Sequence, residues 1–229
     1  MSDNRSQHVA KLTDGVNIGA PRVYLPILDR LLYRHPFEGG SARRYARDER
    51  PAFGDLDDRL LDGLAPELTG EGKRLLDLGC GPATFAHRAA ARFAQLTVIA
   101  IDPSRDFARR GVVRAAGEAL PLAGRSIDVA ICLSSIRHVR DRAATLRELR
   151  RVVRGLAMIV ELDPDADRRR IANHADRLAS PVLRRLFGPL VLGTAPPAAA
   201  IVTLAREVGF TLRALRADPI QPVYIMELV

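Results

Sequence analysis

The sequence predicts a doubly wound α/β fold, a mostly parallel sheet covered by helices on both faces. Three observations lead there. Between residues 74 and 162, short and nearly continuous apolar runs alternate with segments of helical periodicity. The first run ends in a glycine-rich turn, and the last two runs are too closely linked for a parallel crossover. Apolar strands separated by helices mark a parallel sheet buried on both sides, and the shared right-handed crossover puts the strand ends on one edge.

In order, RLLDL (residues 74–78) reads as a buried strand running into Gly79-Cys80-Gly81. Residues 83–93 place alanines and Phe85 on one face and arginines on the other, as a surface helix does. TVIAID (97–102) is a second buried strand, after which Pro103 and Ser104 open a short helix with Ser104 as its cap. VVRAA (112–116) is a weaker third strand, IDVAICL (127–133) a fourth, residues 141–153 an amphipathic helix and LAMIVEL (156–162) a fifth strand. TLRALR (211–216) and VYIMEL (223–228) are joined by six residues, whereas a parallel crossover takes about a dozen, so they pair as an antiparallel hairpin. Outside this core, residues 1–73 carry helical stretches at 25–33 and 55–64, and residues 164–196 interrupt the sheet with charged, helix-like sequence.

Composition narrows the function. No apolar run approaches the roughly 18 residues of a membrane span, and the polar N-terminus has no signal-peptide core, so a cytoplasmic protein is expected. Cys80 and Cys132, both placed in strand regions, lack metal-ligand spacing and read as reduced, buried thiols; no metal site is expected. The net charge of +8 raises the question of nucleic acid. Nearly all the cations are arginine, with Lys11 and Lys73 the only lysines, a bias that looks like the codon usage of a GC-rich genome. Aromatic residues are only 5% and tryptophan is absent, so platforms for stacking bases are scarce and nucleic acid is not the expected partner.

The chemistry concentrates at the strand ends. Gly79 and Gly81 let the backbone pass close to a ligand, and the following helix offers free N–H groups. The dinucleotide fingerprint fits poorly, because Thr84 stands at its last glycine. Asp77 discriminates further: a carboxylate there repels a pyrophosphate but attracts an ammonium, such as the amino-acid end of S-adenosylmethionine. The second strand ends in Asp102, where an acid can accept both hydroxyls of a ribose. The plainer alternative makes both aspartates capping groups at strand ends.

The runs LLDLGCGPAT (75–84), AIDPS (100–104) and EALPLAGRSIDVAICLSSIRHVRD (118–141) resemble the class I S-adenosylmethionine-dependent methyltransferases of the small-molecule type. The similarity continues through LRELRRVVRG, IVEL and REVGF and covers about two-thirds of the chain. It implies a seven-stranded sheet with one antiparallel C-terminal strand, a cofactor-binding core at 74–163 and 197–229, and a substrate cap from 1–73 and 164–196. It also implies roles at matching positions. Asp77, Gly79 and Gly81 would hold the methionine end and Asp102 the ribose; Pro103 and Ser104 would lie near the adenine, Ser134 and Ser135 near the sulfonium.

This sequence departs from the family pattern in three places. Ala83 replaces the third glycine of the turn, and Val-Val-Arg-Gly shortens the turn before the fifth strand. Ala116 stands where the family usually has an acid for the adenine amino group, leaving Glu118 or a water to supply that bond.

Methyl transfer needs a positioned nucleophile, a dry pocket and sometimes a base. His138, just after the fourth strand, is the first candidate base, and His174 in the cap the second; either could instead simply pack. Glu161, ending the fifth strand, could face the substrate or cap the sheet, and Arg168, Arg169 and Arg170 could bind an anion or form a solvated helix face. Leu133-Ser134-Ser135-Ile136 replaces the Asn-Pro-Pro-Tyr type of motif used for amino groups of DNA bases or glutamine. The expected activity is O- or C-methylation of a small metabolite, lipid-like or quinone-like molecule. An RNA methyltransferase and a non-catalytic binding protein on the same fold are the alternatives.

Overall fold

Each apolar run forms a strand because the sheet is covered on both faces. The computed structural model describes residues 13–14, 25–46, 51–108, 111–178 and 180–229. Its strands are β1 (Thr13–Asp14), β2 (Arg74–Leu78), β3 (Thr97–Asp102), β4 (Val112–Arg114), β5 (Ile127–Leu133), β6 (Val153–Leu162), β7 (Leu212–Ala217) and β8 (Val223–Leu228). All seven residues of β5 are buried, as a central parallel strand requires.

The helices are α1 (Pro26–Leu32), α2 (Gly40–Tyr45), α3 (Leu56–Leu68), α4 (Thr84–Arg92), α5 (Arg142–Val152), α6 (Arg168–Asp176), α7 (Pro181–Leu186) and α8 (Ala198–Glu207). A π-helical turn, Phe187–Leu192, continues α7. Asp141 caps α5, its carboxylate accepting from the Ala144 N–H at 2.9 Å.

The strand order is β1-β7-β8-β6-β5-β2-β3-β4, and β8 alone runs against its neighbours β6 and β7. The sheet is therefore the seven-stranded one expected, including the C-terminal hairpin, with the two-residue β1 added at its edge. Leu146 and Leu149 of α5 pack with Ile201 and Ala205 of α8 on one face. Leu60 and Leu64 of α3 pack with Phe85 of α4 and with Val129 and Ile131 on the other. Each leucine removed from water in this way contributes about 1.5–3 kcal/mol. Helix α3, which the sequence reading put in the cap, is thus part of the layer that covers the sheet.

Three local expectations are corrected. Residues 105–107 form a turn in place of the short helix, with the Ser104 N–H donating to Asp102 Oδ1 (2.8 Å) and the Asp106 N–H donating to Ser104 Oγ (3.2 Å). The third strand stops at Arg114, so Ala115 and Ala116 lie beyond the ladder. Cys80 lies in the turn after β2, half-buried, whereas Cys132 is buried in β5. The shortened Val-Val-Arg-Gly stretch leaves no loop: β6 begins at once after α5, and a Cβ on Gly155 would stand 2.4 Å from the Asp128 carbonyl oxygen.

The strand order fixes where a site can form. Strand β2 lies between β3 and β5, so the chain winds in opposite directions on its two sides, and a crevice opens at the carboxyl ends of these strands. Register puts Asp77 beside Ala100 on β3 and Ile131 on β5, bringing the strand-end residues to one edge.

Candidate active site

A cleft of about 1120 Å³ occupies that edge. Its floor is the turn after β2. Gly79 has φ +70°, and its N–H donates to the Ile101 carbonyl at 2.7 Å. A Cβ at Gly79 would lie 2.4 Å from Ser135 Cβ and 2.7 Å from its Oγ. The glycine is therefore required by Ser135, whose hydroxyl donates to the Leu78 carbonyl at 2.7 Å and clamps the end of β2 to the end of β5. Gly81 (φ +55°) donates its N–H to Asp102 Oδ2 at 2.9 Å. Ala83 also takes the left-handed conformation, φ 62°, where glycine would sit without strain.

Asp77 and Asp102 are both buried and both line the cleft. Burial pushes the Asp102 carboxyl up, and the N–H groups of Ser104 and Gly81 pull it back down. Those two bonds occupy two of the roughly four lone-pair sites of the carboxylate, leaving acceptor capacity for a ligand. Burial, with Asp77 and Asp102 close by, also pushes the Cys80 thiol well above its ordinary range, so it is neutral and unreactive.

Pro103, Glu118, Ser134 and His138 line the cleft too. Ser104 does not: it is fully buried and serves the turn. Oε1 of Glu118 accepts from the N–H groups of Arg140 and Asp141, at 2.8 and 3.0 Å, so Glu118 anchors the approach to α5 while bordering the cleft beside Ala116. Ser134 is left-handed at φ 52°, and its buried Oγ has no hydrogen-bond partner among the described residues. An L-residue held in that conformation costs about 1–2 kcal/mol, and such strain gathers at functional sites.

His138 Nδ1 lies 3.0 Å from the Tyr33 carbonyl oxygen. A carbonyl can only accept, so Nδ1 carries the proton and the Nε2 lone pair remains for another partner. Burial, then the Arg137 charge, lowers the imidazole to about 4, so it is neutral at pH 7. His174 is elsewhere: its ring stacks on Phe187 with centroids 4.7 Å apart, and its Nδ1 bonds Gln221 Oε1 at 2.9 Å. It lines no part of the cleft, and packing is its role. Arg170 is tied to Asp167 and to the Asp218 carbonyl beside exposed Arg168 and Arg169, a solvated helix end.

Two features were not legible in the sequence, the burial of Arg137 and the aromatic roof, and the choice left open for Glu161 is answered. Arg137 is 3% exposed yet borders the cleft, with its guanidinium 4.0 Å above the Tyr33 ring. Glu161, fully buried, does face the cleft, while accepting from the N–H groups of Leu162 (2.9 Å) and Arg137 (3.4 Å). The roof comes from the N-terminal segment, where Phe37 packs against Tyr45, Phe107 and His138 with centroids 5.7–6.2 Å apart. Buried Asp29 pairs with Arg142 at 2.9 Å and holds α1 down, and Asp106 receives the Gly39 N–H (2.7 Å) and Arg43 (2.8 Å). Among the described residues of 164–196, only Val191 reaches the cleft.

Residues 76–160 match the model of the methyltransferase domain family. An uncharacterized methyltransferase of Mycobacterium sp. (strain JLS) is 35% identical over 103 residues. That stretch is 42% of this chain, and it spans only 41% of the relative's length. Among solved structures, a SAM-dependent methyltransferase from Aquifex aeolicus superposes with a TM-score of 0.62 at 13% identity, covering 84% of this chain and 98% of that one. A methyltransferase from Methanococcus maripaludis gives 0.60 at 14% identity, covering 82% and 90%. At such identities the two structures speak for the fold, which they share.

Proposed function

We propose that this chain, whose residues 76–160 are a methyltransferase domain of the class I, S-adenosylmethionine-dependent kind, works as a whole as an enzyme that methylates a hydroxyl of a small molecule. The observation that carries the reading is the pairing of the Asp77–Gly81 turn with Asp102 on the neighbouring strand, both opening into one cleft.

The residues present fit the cofactor. Asp102 keeps acceptor capacity for ribose hydroxyls, the acid Asp77 stands where an ammonium would lie, and Ser134 holds a buried hydroxyl without a partner among the described residues. Pro103 and Glu118 border the place for the adenine, and Gly79 and Gly81 keep the floor low beneath the methionine end. When bound, S-adenosylmethionine supplies an electrophilic methyl group on a sulfonium. The chain's own part is to position, dry and deprotonate the acceptor. The aromatic roof excludes water, and the neutral His138 offers Nε2 to an acceptor hydroxyl, which orients it and takes its proton. That lone pair favours oxygen over carbon as the methylated atom.

A small acceptor is favoured over a nucleic acid because the N-terminal segment, held by the Asp29–Arg142 and Arg43–Asp106 pairs, roofs the cleft with aromatic side chains. Residues 1–73 and 164–196 form the cap in this reading, apart from the sheet-covering helix α3. No helix among the described residues is long and apolar enough to cross a membrane. A cytoplasmic site of action belongs to the same proposal and rests on the two free thiols.

Calorimetry with S-adenosylhomocysteine tests the reading. The unaltered protein binds it, and Asp102→Ala loses about 1.5–3 kcal/mol, the worth of hydrogen bonds to a charged group. No binding to the unaltered protein would overturn the cofactor assignment; undiminished binding to the variant would remove Asp102 from the site.

A further inference from the structure

We infer that the acceptor end of the cleft is an anion site, in which Arg137 holds a carboxylate carried by the methyl acceptor. The inference rests on the methyl-transfer reading and goes on to name the class of substrate.

Arg137 lies in the turn of residues 136–138 after β5, and its side chain is buried against the cleft wall. Its partners are all neutral. Nη2 donates to the Val191 carbonyl and to Thr194 Oγ1, each at 3.0 Å, and the Tyr33 ring covers one face of the guanidinium. Nε is buried and has no hydrogen-bond partner among the described residues. Among those residues no carboxylate forms an ion pair with it. A buried charge without a contacting counter-ion is costly, and an anion on the ligand would lower that cost.

Arg142, five residues on, shows what this fold does for a purely structural arginine. It is equally buried, at 4% exposed, but it pairs with Asp29 at 2.9 Å and donates Nε to the Ile136 carbonyl at 3.1 Å. Glu161 is near enough for the Arg137 charge to lower its carboxyl against burial, but its two oxygens accept from the backbone N–H groups of Leu162 and Arg137, and neither lies within ion-pair distance of the guanidinium.

Chemistry points to a carboxylate on the ligand. Both carboxylate-matching edges of a guanidinium include Nη2, which already donates twice, so a carboxylate would take one charge-assisted hydrogen bond from an uncommitted donor of Arg137 rather than a bidentate pair. Position points to the reacting atom. Arg137 and His138 are consecutive and both border the cleft, so an acid anchored on one can present a hydroxyl to the other. A carboxylate engaged by the guanidinium is a poor nucleophile, so the methyl group goes to the hydroxyl and the acid serves as the handle. The substrate class is a hydroxy acid or a phenolic acid.

The test uses the full chain, with and without saturating S-adenosylhomocysteine, titrated in a calorimeter with benzoate and with its neutral isostere benzamide. Benzoate should bind roughly 10- to 100-fold more tightly than benzamide, the range for a charge-assisted hydrogen bond in a protected site. In Arg137→Leu the preference should vanish while S-adenosylhomocysteine affinity holds, which also shows that the variant is folded. In Arg137→Lys, which keeps the charge but loses the planar guanidinium stacked on Tyr33, the preference should shrink. Equal affinities in the unaltered protein, absent binding of both probes included, would overturn the proposal. So would a preference that survives in Arg137→Leu or, should that variant not fold, one undiminished in Arg137→Lys. Failure of S-adenosylhomocysteine to bind would instead overturn the methyl-transfer reading, and the titrations made without it would still decide the anion site.

Discussion

His138→Gln should flatten the acid side of the stability profile. The imidazole is pushed from an ordinary value of 6.5 down to about 4 by burial first and by Arg137 second, against the opposing hydrogen bond to the Tyr33 carbonyl. Between those two values the unfolded chain binds a proton at this position and the folded chain does not. Stability therefore rises with pH across the window: the contribution is complete above 6.5 and is lost as pH falls toward 4. Between pH 7 and pH 4.5 about two pH units of the shift are expressed, worth about 2–3 kcal/mol at 1.36 kcal/mol per unit. Glutamine keeps a donor for the Tyr33 carbonyl and removes the titration. Urea unfolding at half-unit steps of pH measures the effect as the difference between the unaltered protein and the variant. Buried carboxyls raised by desolvation, Asp102, Glu161 and Asp163, act in the opposite direction, but they are common to both proteins and cancel. A difference that stays constant from pH 7 to pH 4.5 would refute the argument, because it would mean that the folded protein admits a charged imidazole at no cost.

Three further outcomes follow from the geometry. Gly79→Ala should destabilise by about 2–4 kcal/mol in thermal unfolding, since a Cβ there meets Ser135 at 2.4 Å on a left-handed backbone, and adding Ser135→Gly should recover the steric part but not the conformational part. Asp29→Asn should cost about 3–5 kcal/mol by urea unfolding, because it strands the buried Arg142 guanidinium; loss of under 1 kcal/mol would show the pair to be wet. Ala116→Asp should tighten S-adenosylmethionine by about 0.5–1.5 kcal/mol in calorimetry, the net value of one hydrogen bond, and weaker binding would mean that the adenine packs on the alanine methyl group.

The fold was legible because its signals are local. The run Arg74–Leu78 and the run Ile127–Leu133 are buried on both faces, which is why they carry no polar alternation, and the six-residue link before Val223 admits a hairpin and nothing longer. Helix α3 was misassigned to the cap because its leucines say only that one face is buried, and the partners of that face, Phe85, Val129 and Ile131, lie far along the chain.

The two halves of the cleft differ in legibility for a physical reason. The half beneath the cofactor is built from strand ends, where position in the sequence nearly determines position in space: Asp77, Gly79 and Asp102 sit where the ladder puts them. The other half is built across the chain. His138 has its tautomer fixed by a carbonyl more than a hundred residues upstream, and Arg137 is held by Val191 and Thr194, more than fifty residues downstream. No spacing rule reaches over such separations. In sequence Arg137 is one arginine among many in an arginine-rich chain; it differs from its neighbours because the fold removes it from water and, among the described residues, gives it no carboxylate in contact. The distinction between Arg137 and Arg142 lies in Asp29, and therefore in the N-terminal segment that roofs the cleft. Substrate choice, on this view, is governed less by the methyltransferase core than by which of the core's buried charges the roof neutralises and which it leaves for the ligand.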